Sequence, residues 1–311
     1  MKHNLEITVF LITLFLASQV TGLFIVDKYI DKKATAETGT VTYKNLPYSI
    51  ERPVVEPSTS FIFIFIAILI GTGLLLLLVK FRSVGIWKFW FLLSVLITLS
   101  IALYAFIQQF TPQAIAQFIA FGIALPLSII KIFRPNILVH NLTEILVYGG
   151  LAAIFVPIMN VFAVVVLLIL ISIYDAIAVW QSKHMIKLAK FQAGTNVFAG
   201  LFIPYNSASP VSSSVKAGVA IKAAKSKEEK GARLKLRNAV LGGGDMGFPL
   251  IFAGVVMKDA GFLKALIIPV FAAIALGLLL FFSKKDRFYP AMPFITAGCF
   301  LGYGIILLMP F

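Results

Sequence analysis

Two carboxylates stand inside stretches apolar enough to lie in hydrocarbon. Asp175 falls in Leu170-Ile171-Ser172-Ile173-Tyr174-Asp175-Ala176-Ile177-Ala178-Val179, and Asp245 in Leu241-Gly242-Gly243-Gly244-Asp245-Met246-Gly247-Phe248-Pro249. An ionisable side chain at such depth is costly to keep and points to function. Two acids held close together in surroundings of low polarity cannot both ionise easily, so one keeps its proton. The ionised carboxylate can take a proton from water, while the protonated one hydrogen-bonds to the carbonyl under attack and polarises it. That chemistry hydrolyses an amide and calls for no metal and no cofactor. The titration belongs to the pair, so neither aspartate is assigned as the base.

Positioning two acids in this way requires a membrane scaffold, and the composition provides one. Of 311 residues, 60% are hydrophobic and 13% charged, with mean hydropathy +0.97. Apolar stretches of about 20 residues recur along the whole chain, the signature of an all-α integral membrane protein with several spans. The net charge of +14 is explained by Lys and Arg gathering in cytoplasmic loops, so no nucleic-acid partner is expected. Cys299 is the single cysteine, which excludes an internal disulfide and a thiolate metal site. The histidines are His3, His140 and His184, none in the middle of an apolar run.

The apolar pattern predicts nine transmembrane helices, at about residues 7–26, 59–79, 89–108, 114–133, 137–159, 161–180, 239–257, 262–282 and 290–310. The first is long enough to span and lacks a strong cleavage site, so it reads as a retained helix and not a signal peptide. Residues 27–58 read as an extended polar loop, with short strands at 40–43. The longest break, 181–238, contains a basic amphipathic stretch at 183–190 and an apolar run at 197–205 too short to span. A flexible Ser/Pro-rich segment at 206–214 and a basic run at 216–237 follow. No internal repeat is visible. The chain divides into 1–180, a six-helix part carrying Asp175; 181–238, a cytoplasmic loop; and 239–311, a three-helix part carrying Asp245.

With a cytoplasmic N-terminus, 20 of the 27 Lys and Arg lie on the inner side, which supports N-terminus in and C-terminus out. The sixth span then runs inward and ends near Trp180, while the seventh runs outward from about Ala239. Asp175 and Asp245 would sit roughly 7.5 and 9 Å from the cytoplasmic ends of these spans. Neighbouring antiparallel helices would bring the two side chains to one level, beneath a rim that water can cross.

The flanking residues carry both structural and chemical readings. Gly242, Gly243 and Gly244 suit close helix packing, and equally let a substrate backbone reach Asp245. A helical peptide bond is shielded, so cleavage requires local unwinding, which the membrane tolerates only under cover of protein or water. Pro290-Ala291-Met292-Pro293 opens the ninth span either as a plain helix start or as a kinked wall beside the aspartates. Tyr174 reads either as an interface tyrosine or as a hydrogen-bonding neighbour of the pair. Glu144 reads as an acid in the first turns of the fifth span, near the interface and outside the site.

Tyr174-Asp175, Gly242-Gly243-Gly244-Asp245 and Pro290-Ala291-Met292, in this order on the sixth, seventh and ninth spans, resemble the YD, GxGD and PAL motifs of one family. That family is the presenilin and signal-peptide-peptidase family of intramembrane aspartyl proteases, and the likeness is strongest to its archaeal presenilin homologues. The run 174–179, followed by Lys183-His184-Met185-Ile186, adds to it. The resemblance implies Asp175 and Asp245 as catalytic aspartates, supported by Tyr174, Gly242, Gly244, Pro290, Ala291 and Met292. It implies cleavage of single-span helices in a prokaryotic, archaeal cell membrane, with lipid as the surroundings and self-association left open. Met292 replaces the usual leucine, a volume-conserving change. Gly243 stands where a larger apolar residue is common, and the inner loop is basic where acidic is usual. In presenilins a substrate can pair as a strand with backbone before the seventh span. Here Arg233-Leu234-Lys235-Leu236-Arg237 alternates as an edge strand would, making Leu234, Leu236 and Gly243 candidate substrate contacts.

Other chemistries lack their residues. A zinc peptidase needs His-Glu-x-x-His on a span, and Ser94, Ser100, Ser128 and Ser172 have no buried histidine partner for a serine mechanism. Two readings stay open: a proton-coupled transporter using the aspartates as a relay, and a prepilin-type GxGD peptidase.

Overall fold

The computed structural model describes residues 5–81, 83–134, 136–181, 198–206, 236–283 and 289–309. Each predicted apolar span holds a helix. In chain order these are α1 (Leu5–Tyr29), α3 (Ser60–Phe81), α4 (Val84–Ile107), α5 (Gln113–Phe133), α6 (Ile137–Phe155) and α7 (Val161–Trp180). They continue with α8 (Gly243–Ala260), α9 (Phe262–Ala265) leading into α10 (Ile267–Phe282), and α11 (Met292–Leu308). Seven of the described helical segments are long and apolar enough to cross a bilayer, and the protein is integral to the membrane. α8 carries Asp245, Lys258 and Asp259, and α11 has only 17 residues, which sets these two apart.

α8 is the axis of the molecule. It packs against α1, α6, α7, α10 and α11, and every residue from Pro249 to Met257 is buried. A helix apolar all round belongs in such a centre. α3 lies at the opposite extreme, with only Ser60 and Ile64 buried, so most of its surface faces lipid. Small residues allow the close crossings. A Cβ on Gly150 of α6 would lie 1.9 Å from the Thr98 carbonyl oxygen of α4, and one on Gly298 of α11 would lie 2.6 Å from the Phe271 carbonyl oxygen of α10.

Two predictions about local structure are corrected. The loop after α1 contains a short helix, α2 (Lys32–Thr38). The Asp31 carboxylate accepts hydrogen bonds from the Lys33 and Ala34 amides, and Gly39 closes the helix in the left-handed conformation. The strands expected at 40–43 reduce to one bridge between Ile30 and Tyr43. The second correction bears on chemistry: the chain is not helical from Ala239. It runs as a strand, β2 (Leu236–Gly242), paired antiparallel with β1 (Gly200–Asn206), and α8 starts only at Gly243. The apolar run before 206, too short to span, supplies β1, whose pairing meets the backbone hydrogen-bond need that hydrocarbon imposes. Gly200 adopts φ +135° and brings its backbone against Leu241, where a Cβ would lie 2.1 Å from the carbonyl oxygen, so only glycine fits.

The basic stretch at 183–190 with His184, the Ser/Pro-rich segment beyond Asn206, Leu234 and the basic run up to Lys235, and His3 lie outside the described residues.

Candidate active site

Asp175 lies in the last turns of α7, five residues before Trp180, and is buried. Its Oδ2 accepts a hydrogen bond from the Met292 amide at 3.1 Å, and the Ala291 amide lies close to the carboxyl. Met292 is the first residue of α11. The amides of a first helical turn have no partner within their own helix and so serve an anion. The two readings of Pro290-Ala291-Met292 therefore merge, because the helix start is the wall that holds Asp175. Higher on the same pair of helices, Ser172 Oγ donates to Thr296 Oγ1 at 2.8 Å and fixes α7 on α11. The Tyr174 hydroxyl donates to Thr72 Oγ1 of α3 at 3.3 Å.

Asp245 is the third residue of α8, and Gly242 is its N-cap. The Gly242 backbone lies beside the Asp245 carboxyl, in the first turn of the helix, where amides lack partners of their own. A Cβ on Gly242 would sit 3.1 Å from Asp245 Oδ2, and one on Gly244 would touch the Phe248 ring at 3.4 Å. Pro249, four residues on, cannot donate to the Asp245 carbonyl, so the helix is thinned of hydrogen bonds beside the acid. From α1, fully buried Gln19 donates through Nε2 to the Met246 carbonyl at 2.8 Å and pins this turn. Asp245 lies within electrostatic reach of Asp175.

The hairpin leads directly into Asp245, and its hydrogen bonds show which edge is open. The Gly243 amide donates to the Ala199 carbonyl at 3.2 Å. Given the register Gly200↔Gly242 and Leu201↔Leu241, the odd-numbered residues of both strands face each other, and the even-numbered ones face outward. On β1 the outward groups are already taken by α6. His140 Nε2 donates to the Gly200 carbonyl at 2.8 Å, and Glu144 Oε2 accepts from the Gly200 amide at 3.1 Å. The Asn141 amide brackets Phe202, accepting from its N–H at 3.1 Å and donating to its C=O at 3.0 Å. Pro204, the next outward position, has no N–H. The outward groups of β2, at Leu236, Asn238, Val240 and Gly242, lie on the edge away from β1, and Gly242 at its end lies beside Asp245.

This clamp rests on a buried ion pair absent from the sequence reading. Lys131 Nζ of α5 lies 2.5 Å from Glu144 Oε1, and their side chains are 1% and 2% exposed. Lys131 also donates to Thr143 Oγ1 at 3.0 Å, and the Tyr148 hydroxyl donates to Glu144 Oε2. Glu144, placed outside the site on sequence, thus supports the strand that precedes Asp245. Lys131, near the end of α5, is buried in the membrane part and is not a loop charge. The signal available was an acid and a base, each alone near the end of an apolar run, on consecutive spans. Of the candidate substrate contacts, Leu236 opens β2 and Gly243 opens α8. No cluster of His, Cys, Asp or Glu suited to a metal ion occurs among the described residues.

Known proteins share this fold. No curated protein matches the sequence. A structure of a presenilin family intramembrane aspartate protease in the C222 space group aligns with 97% of this chain and 99% of that one, at TM-score 0.60 and 18% identity. A second, in the P2 space group, aligns with 96% and 97%, at TM-score 0.58 and 20% identity. At such identities the likeness establishes the fold. The family described as signal-peptide peptidase, presenilin aspartyl protease matches residues 12–310, and the chain belongs to that family.

Proposed function

We propose that this protein is an intramembrane aspartic endopeptidase that hydrolyses peptide bonds within single-span transmembrane helices, using Asp175, Asp245 and one water. The observation that carries the reading is the convergence of the two carboxyls. Asp175 is bonded to the first amide of α11, Asp245 stands in the first turn of its own helix, and the two carboxyls lie within electrostatic reach of each other. One carboxylate takes the proton of the attacking water, and the protonated partner supports the oxygen of the tetrahedral intermediate. The pair then returns a proton to the leaving amine.

Nine spans, with the N-terminus inside and the C-terminus outside, put both acids near the cytoplasmic face. Residues 1–180 and 239–311 then form the two membrane parts that carry one aspartate each, joined by 181–238. Family membership favours this reading over the proton relay and the prepilin-type peptidase. Substrate reaches the acids as an unwound segment added to the outer edge of β2, the strand that begins at Leu236 and leads into Gly243. Tyr174, Gly242, Gly244, Pro290, Ala291 and Met292 shape the walls.

Purified protein in liposomes is expected to cut a synthetic single-span peptide within its apolar stretch, as read by the masses of both products. Cleavage confined to the water-exposed flanks, or none at all, would overturn the proposal.

A further inference from the structure

We propose that Tyr148, oriented by the Lys131–Glu144 pair, is a positioning residue for Asp245: its hydroxyl occupies the space beside Gly243 and fixes the turn from which the carboxylate projects. The inference rests on the function proposed above.

Three observations meet at this ring. A Cβ on Gly243 would lie 2.6 Å from the Tyr148 hydroxyl oxygen and 3.3 Å from the ring carbons Cε1 and Cζ. The ring therefore stands where a side chain at 243 would be, two residues before Asp245. Second, the hydroxyl donates to Glu144 Oε2. That oxygen also receives the Gly200 amide, and Oε1 is held by Lys131. One carboxylate thus ties the ring to β1, and β1 is paired to the strand that ends at Gly242. Third, packing alone does not hold the ring. A half-open cavity of about 120 Å³ lies against it, lined also by Phe91, Val95, Thr98, Leu151 and Ala199. With room on one side, the hydrogen bond to Glu144 decides where the ring stands.

Two consequences follow. A side chain at 243 must push the hydroxyl off Glu144, shifting the turn and Asp245 with it. Removing the hydroxyl lets the ring recede into the cavity, which makes a side chain at 243 tolerable. Substitutions at the two positions must therefore be non-additive.

The test uses full-length protein in liposomes with the synthetic single-span peptide, fitting kcat and KM separately and mapping every cut by mass. A misplacement near 1 Å costs up to about 10²-fold in rate. Gly243→Ala is accordingly expected to lower kcat about 10- to 100-fold with KM within about twofold. Tyr148→Phe is expected to lower kcat about fivefold and spread the cuts over neighbouring bonds. The double variant is expected to match Tyr148→Phe, so that the alanine no longer costs anything. Gly247→Ala is the control for packing. Its Cβ would meet the same ring at 3.6 Å, an ordinary contact, and a loss below about twofold is expected. If Gly243→Ala fails to fold, recovery of folded, cutting protein in the double variant is the expected result. Multiplying losses in the double variant, a fully active Gly243→Ala, an unrescued fold, or an equal loss in Gly247→Ala would each overturn the role of Tyr148. Absence of cleavage by the unsubstituted protein would instead strike the proposed function itself.

Discussion

Asp175→Asn and Asp245→Asn are each expected to abolish cleavage of the single-span peptide while leaving the protein folded. Asparagine keeps the size of the side chain and an oxygen that accepts a hydrogen bond. The Met292 amide can still donate at position 175, at the 3.1 Å separation it holds to the carboxylate. At position 245 the side chain keeps its place beside the Gly242 backbone. What is lost is the exchangeable proton of a carboxyl. General acid–base roles are worth about 10²–10⁴-fold each. A pair that shares one proton fails in both roles when either member is neutral and fixed, so the loss is expected at or beyond about 10⁴-fold. Unchanged thermal stability of the two variants in detergent, together with absent product, is the joint outcome to look for.

Glu144→Ala is expected to be the most destabilising single change in the polar network of α5 and α6. It strands the Lys131 ammonium in a site where that side chain is 1% exposed, and it unpairs the Tyr148 hydroxyl and the Gly200 amide. Breaking one side of a buried pair costs about 3–5 kcal/mol. Replacing both charges, with Lys131→Met and Glu144→Leu together, removes the stranded ammonium and is expected to cost markedly less. Thermal unfolding in detergent checks the order. A single variant as stable as the double would mean that the pair is solvated and not buried. Since Glu144 clamps the Gly200 amide, cleavage is expected to fall in the double variant even where stability returns.

The membrane scaffold was legible because its signals are long and local. Nine apolar runs became helices, the ends of α5 and α7 fell at the predicted Phe133 and Trp180, and the position of Asp175 near the end of its helix followed. Asp245 was legible as a residue but not in its local structure. Apolarity alone does not distinguish a strand from the start of a helix, and Ala239, Val240 and Leu241 read as the foot of a span. What turned them into a strand is β1, whose partner residues are separated from them by 29 undescribed positions. Sequence periodicity carries no record of so distant a pairing. The edge strand expected at 233–237 overlaps β2 only at its start, because alternation of charge marked the polar end of the strand and not its apolar remainder.

The clamp on β1 was missed for a different reason. His140, Asn141 and Glu144 fall on one face of α6, spaced by one, three and four residues. Read singly, each is an ordinary polar residue in the first turns of a span. Their shared purpose shows only once β1 lies against that face with its Gly200 and Phe202 backbone groups turned toward them. Gly243 was noticed as small for its place in the motif. The reason, the Tyr148 ring of α6 in the vacated space, is a tertiary fact.

The most direct test of the two-aspartate site is the binding of a peptide isostere whose central hydroxyl mimics the tetrahedral intermediate, measured by displacement from purified protein in detergent. A shared site predicts tight binding to the unsubstituted protein, blocked cleavage, and loss of binding by at least about 10²-fold in both Asp175→Asn and Asp245→Asn, as expected for a transition-state analogue. Binding that survives unchanged in either variant would contradict it, because the hydroxyl would then not be gripped by both carboxyls.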